Sequence, residues 1–70
     1  MNAEAENLWR AALAADEAWS AELRRLYGDR AGDARYDERG KSTPTLRDLH
    51  ERFRAANEAW GEASRSLARR

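Results

Sequence analysis

The sequence has no cysteine and only one histidine, and each shortage excludes a class of protein. Without cysteine the chain forms no disulfide and has no thiolate nucleophile, and a single histidine is too few for the usual zinc sites. No apolar run approaches the roughly 20 residues that cross a bilayer, and the acidic N-terminus does not resemble a signal peptide. We therefore expect a cytoplasmic protein with no metal, no cofactor and no contact with membrane.

The charge balance argues against nucleic acid as the preferred partner. Thirteen basic and thirteen acidic side chains cancel, whereas proteins that grip a phosphate backbone usually carry an excess of positive charge. Seventy residues form one domain, residues 1–70, and a domain of this size buries only about 60% of the surface that its unfolded chain exposes. Disulfides and metals are excluded as stabilisers, so self-association or a protein partner is the expected remedy.

One helical segment occurs twice in the chain. Residues 55–67 nearly repeat residues 14–26, and the repeat aligns Trp19 with Trp60. In both copies apolar residues recur at intervals of three and four, which is typical of an amphipathic helix. The pattern predicts an all-α protein with a helix over about 3–27, a loop over about 28–43 and a helix over about 44–68. The predicted core positions are Ala5, Leu8, Ala12, Ala15, Trp19, Leu23 and Leu26 in the first helix and Leu46, Leu49, Phe53, Ala56, Trp60, Ala63 and Leu67 in the second.

Capping residues mark the ends of both predicted helices. Asn2 is the predicted N-cap of the first helix and Gly28 its left-handed C′ residue, while Thr43 and Pro44 are the N-cap and first residue of the second. The loop between them mixes charges of both signs with three glycines. Its one large apolar side chain, Tyr36, is expected to pin the loop onto the helices.

The two helices are expected to fold back on each other as an antiparallel hairpin. In that arrangement Leu26 faces Leu46 and Trp19 faces Phe53. Trp9, Leu13 and Tyr27 form a second apolar flank beside the core positions of the first helix, together with Asp16 and Ser20. A wider apolar arc implies a second neighbour.

We expect that second neighbour to be another chain, so that two hairpins dimerise into a four-helix bundle. Two alternatives stay open: the long loop folds over the open face of a monomer, or a different protein completes the core. The residues predicted to mediate self-association are Trp9, Leu13, Trp19, Phe53 and Trp60.

The sequence favours a binding function over catalysis. His50 has no possible metal ligand three or four residues away, and no glycine-rich phosphate loop precedes a helix. We therefore expect a non-enzymatic interaction module that binds and regulates or inhibits a protein partner through its helix faces and charged loop. The predicted partner contacts are Arg30, Arg35, Tyr36 and Arg39, because tyrosine and arginine are enriched in binding hot spots.

Two other functions fit the same predicted fold. One is an RNA- or DNA-binding hairpin dimer, since the chain resembles the plasmid-encoded Rop protein in length and topology, without a shared motif. The other is a structural unit that polymerises through its two similar faces. The size and composition are typical of small accessory proteins of bacteria, phages and plasmids.

Overall fold

The computed structural model describes residues 3–68, and all regular structure in this range is helical. The all-α class predicted from the sequence is therefore confirmed. The predicted N-cap of the first helix, Asn2, lies outside the described residues. The elements are α1 (Ala3–Tyr27), a 3₁₀ turn (Gly28–Arg30), α2 (Ala31–Ala34), a second 3₁₀ turn (Glu38–Lys41) and α3 (Pro44–Ala68).

The inner ends of the two long helices are set by the residues that the capping rules indicated. Gly28 follows α1 with a φ of 56°, the left-handed conformation in which glycine carries no Cβ penalty. At the start of α3 the backbone N–H of Leu46 donates to the hydroxyl oxygen of Thr43 at 3.0 Å, and Pro44 is the first helical residue. These local rules fix where the chain leaves α1 and where it enters α3.

Helices α1 and α3 contact each other at both ends. The rings of Trp19 and Phe53 lie 5.6 Å apart with an interplanar angle of 24°, which is the contact predicted from the sequence. Further along, Ala5 near the start of α1 lines a depression together with Leu67 near the end of α3. We call the part built from residues 3–13 and 60–68 the open end, and the part next to the connecting segment the loop end.

The main hydrophobic cluster lies at the loop end, while Ala12 is buried at the open end. Its buried members are Trp19, Leu23, Ala34 and Leu46, with Tyr27, Ala31, Leu49 and Phe53 packed around them. Leu26 was predicted to belong to this core and is instead 39% exposed. The chain returns over the flank of α1 that carries Tyr27, about 100° around the helix from Leu26, so Tyr27 occupies the expected place of Leu26.

The connecting segment is not the irregular loop that the sequence suggested. It folds into two 3₁₀ turns and the short helix α2, and Ala34 at the end of α2 is fully buried. Tyr36, expected to pin this segment, is 85% exposed, and small residues do the packing instead. At the loop end, therefore, the second neighbour of the apolar flank is the chain's own connecting segment.

Candidate functional site

Arg35 ties the connecting segment to the flank of α1. Its guanidinium lies 4.5 Å from the ring centroid of Trp19 and 5.4 Å from that of Phe53, a cation–π arrangement over both rings. One terminal nitrogen donates to the hydroxyl of Ser20 at 2.8 Å, and the other donates to the carboxylate of Asp16. Because these contacts use its planar face and its donors, Arg35 has little left for the partner contact that the sequence predicted.

Trp19 forms the second tie between the same two parts of the chain. Its indole N–H donates to the backbone carbonyl of Gly40 at 3.0 Å, and the ring of His50 meets it edge-on at 4.9 Å. The side chain is only 3% exposed. This burial leaves almost no indole surface for a second chain, contrary to the self-association role predicted for Trp19.

Gly40 leaves no space for a side chain where Trp19 reaches it. A Cβ at this position would lie 2.9 Å from the carbonyl oxygen of Ala34 and 3.3 Å from the Trp19 ring. Sequence reasoning missed both Gly40 and Ala34. The available signal was indirect: a buried tryptophan needs an acceptor for its N–H, and a glycine lets a backbone carbonyl come close.

Arg39 is also used within the connecting segment. The carboxylate of Asp37 accepts hydrogen bonds from the Arg39 guanidinium and from the Arg39 backbone N–H. The side-chain hydrogen bond, followed by the backbone one, holds the pKa of Asp37 below its usual value, and the same pair raises the pKa of Arg39. The guanidinium lies 5.8 Å from the ring centroid of Tyr27, so this predicted partner contact also braces α1.

Tyr36 and Arg30 are the two predicted partner contacts that stay exposed. Tyr36 borders an open depression of about 570 Å³ whose other lining residues are Arg35, Asp37, Glu38, Lys41 and His50. Arg30, in the first 3₁₀ turn, does not line it. Within residues 3–68 no group of three or more histidine, cysteine or acidic side chains could hold a metal ion.

Three large apolar side chains at the open end are exposed. Trp9 is 45% exposed, Leu13 is 49% exposed and Leu67 is 38% exposed. A depression of about 310 Å³ lies beside them, and its lining residues are Ala5, Glu6, Trp9, Trp60, Ser64 and Leu67. Leu13 lies one helical turn from Trp9 on the same flank. We call these residues together the open-end groove.

Three of the five predicted self-association residues therefore lie in the open-end groove: Trp9, Leu13 and Trp60. Phe53 is half-buried at the loop end under the Arg35 guanidinium. On α3 the depression beside Trp9 is lined by Trp60, Ser64 and Leu67, and the spacing of the repeat did not reveal it as a site.

Two ion pairs lie on the helices at the open end. Arg10 contacts Glu6 at 2.6 Å across one turn of α1. On α3, Arg65 contacts Glu62 at 3.4 Å. Of these four side chains, Glu6 lines the depression.

Comparison with known proteins gives no match. No protein-family model, curated protein or solved structure is similar to this chain. In addition, no helix among the described residues is both long and apolar enough to cross a membrane. The function must therefore be argued from the contacts of the open-end groove and of the connecting segment.

Replacing Arg35 by lysine tests the tie to α1. We expect the free energy of unfolding to fall by about 1–3 kcal/mol, because lysine keeps the charge but loses the fork that binds Asp16 and Ser20 together. Urea denaturation followed by circular dichroism measures the change. Arg24→Lys is the control, since Arg24 pairs with Glu17 in the open, its side chain 55% exposed, and its change should stay within about 0.5 kcal/mol. Equal effects of the two substitutions would contradict the role given to Arg35.

Proposed function

We propose that this chain is a non-enzymatic protein–protein interaction module, an antiparallel helical hairpin that is braced at its loop end and binds through its open end. Its partners are proteins, a second copy of the chain among them, and binding regulates or inhibits the partner by covering part of its surface. The observation that carries the proposal is the open-end groove, where Trp9 and Leu67 line one depression and are each more than a third exposed, and where Leu13, one turn along α1 from Trp9, is 49% exposed.

The chemistry of the groove supports a protein partner. Tryptophan is among the residues most enriched in binding hot spots, because it buries a large rigid surface at low entropic cost. A shallow apolar channel between two helices suits the apolar face of an amphipathic helix, which is a recurrent way of recognising a partner. A cluster of exposed aromatic and aliphatic side chains is also uncommon on monomers that have no partner.

The arginines support a protein partner over a nucleic acid. Most of those in the described part of the chain lie in ion pairs with a carboxylate of the same chain, as Arg10, Arg54 and Arg65 do. In each such pair the neighbouring carboxylate offsets the positive charge that would attract a phosphate. Salt-dependent affinity for phosphate backbones depends on unpaired cations, and this surface offers few of them.

A pair of leucine substitutions on α1 tests the proposed function. Leu13→Glu places a charge in the open-end groove, whereas Leu26→Glu places the same charge on an exposed leucine at the loop end. Each variant is linked to a photocrosslinker, and the proteins captured in cells that naturally contain the chain are identified by mass spectrometry. We expect wild type and Leu26→Glu to capture the same partners and Leu13→Glu to lose them, with melting temperatures of the two variants similar.

The proposal fails if the sets captured by Leu13→Glu and Leu26→Glu are identical. The position of the added charge then has no effect on which partners are captured, and the groove has no binding role. Loss of partners by Leu26→Glu alone would likewise move the binding surface away from the open end.

A further inference from the structure

The depression at the loop end has the size of a small-molecule site. Its volume is about 570 Å³, and its lining residues are Arg35, Tyr36, Asp37, Glu38, Lys41 and His50. Pockets for small ligands usually measure about 300–1,000 Å³ and combine apolar walls with a few polar groups. We call this cavity the loop-end depression. It lies at the other end of the hairpin from the open-end groove, so a ligand bound here leaves that groove free.

Two of the charges that border the loop-end depression already have partners in the chain. The guanidinium of Arg35 donates to the carboxylate of Asp16. The carboxylate of Asp37 accepts from the guanidinium of Arg39 at 2.6 Å. These two pairs hold the connecting segment in place. Because each pair is neutral, neither adds much to the attraction of a charged ligand.

The other two charges, those of Glu38 and Lys41, have no partner among residues 3–68. They are the first and last residues of the second 3₁₀ turn, and residues three apart in a 3₁₀ helix project from the same side. Opposite charges at this spacing could pair, yet no ion pair joins these two side chains. The loop-end depression therefore presents a carboxylate and an ammonium side by side, both available to a ligand.

Two rings complete the wall of the loop-end depression. Tyr36 is 85% exposed, and packing within the chain does not explain why so large a side chain faces outward. The imidazole of His50 is held by the ring of Trp19, which it meets edge-on at 4.9 Å. An aromatic ring beside charged groups offers a ligand a large contact surface at low entropic cost.

We infer that the loop-end depression binds a free α-amino acid with an apolar side chain. The carboxylate of the ligand contacts the ammonium of Lys41, its amino group contacts the carboxylate of Glu38, and its side chain packs against the ring of Tyr36. The balanced charges favour a zwitterion, because a simple anion or cation would lie beside one group of its own sign. This binding is additional to the proposed function and does not depend on the open-end groove.

Nuclear magnetic resonance of the full-length chain tests the inference. The chain has one histidine and one lysine, so the His50 ring and the Lys41 ε-methylene each give a signal of known origin. We expect L-phenylalanine to shift both signals in a saturable way. N-acetyl-phenylalanine lacks the ammonium and phenylalanine amide lacks the carboxylate. Each should bind at least about tenfold more weakly, because one charge-assisted contact is lost.

Substitutions that remove one charge locate the site. Lys41→Gln and Glu38→Gln should each weaken the binding of L-phenylalanine at least about tenfold, measured at the His50 signal. Both variants should fold, because both side chains are exposed. Arg30→Gln and Asp33→Asn are the matched controls, since these exposed charges belong to the connecting segment and do not line the loop-end depression. They should leave the affinity unchanged.

Several results would overturn the inference. L-phenylalanine that leaves both signals in place at every concentration does not bind. If N-acetyl-phenylalanine binds as tightly as L-phenylalanine, the loop-end depression is a site for anions, and if phenylalanine amide does so, it is a site for cations. Equal weakening by Arg30→Gln and Lys41→Gln would mean that affinity follows the overall charge of the segment. Each of these results leaves Leu13-dependent capture of proteins, and with it the proposed function, as it was.

Discussion

Replacing Trp19 by alanine should lower the free energy of unfolding by about 3–5 kcal/mol, the largest loss expected from any single truncation in this chain. The substitution removes the ring at the centre of the buried cluster and leaves the Arg35 guanidinium without its aromatic support. It also leaves the Gly40 carbonyl without the indole N–H that it accepts from. The connecting segment should then detach from α1 as the core is lost.

The control for this prediction is the same substitution at an exposed tryptophan. Trp9→Ala removes an identical side chain that is 45% exposed, so we expect it to change the stability of the monomer by less than about 1 kcal/mol. Urea denaturation at a concentration where the chain is monomeric separates the two variants. A loss for Trp9→Ala as large as that for Trp19→Ala would mean that the core is not confined to the loop end.

Gly40→Ala should destabilise the chain by about 1–3 kcal/mol through overpacking. The added Cβ would approach the backbone carbonyl oxygen of Ala34 to 2.9 Å and that of Arg35 to 3.2 Å. Backbone atoms cannot swing aside as the end of a flexible side chain can, so α2 or the turn at Gly40 must shift. That shift lengthens the hydrogen bond from Trp19. Thermal unfolding followed by circular dichroism measures the effect.

Gly32→Ala is the matched control, and its expected effect has the opposite sign. Gly32 lies in α2, and a Cβ there meets no other atom within 4 Å. Alanine restricts the unfolded chain and favours helix, so the variant should gain about 0.4–1 kcal/mol. Loss of stability in both variants would indicate a general intolerance of the connecting segment rather than a close approach at Gly40.

The parts of the fold that were predictable from the sequence follow from local rules. Intervals of three and four between apolar residues indicated α1 and α3, and the preferences of Gly28, Thr43 and Pro44 indicated where the chain turns out of one helix and into the other. The contact of Trp19 with Phe53 followed from folding one helix back on the other. Each of these inferences needs only neighbours in sequence or a single pairing.

The connecting segment could not be predicted in the same way. Its residues have no helical periodicity, and α2 is a single turn that is stable only because Ala34 packs against a core built by distant parts of the chain. Side-chain type was misleading here, because the large residue, Tyr36, turns outward and the small ones pack. The error at Leu26 has the same origin, since the return path of the segment selects which flank of α1 is covered.

The candidate site was predictable only in part. The sequence identified Trp9 and Leu13 as a surplus apolar flank that requires a neighbour, and they lie exposed at the open end. It also assigned Trp19 and Arg35 to contacts with other molecules, whereas both side chains make their contacts within the chain. A helix pattern reveals which apolar side chains need a neighbour. Only the path of the chain decides how many of these neighbours come from the same molecule.

The repeat shared by the two helices allows the effect of the connecting segment to be seen directly. Trp19 and Trp60 occupy the same place in the repeat, yet one indole is sealed by Gly40 and Arg35 and the other borders an open depression. The two copies thus differ in role more through topology than through composition. A connecting segment that returned over the other helix would therefore exchange the roles of the two tryptophans.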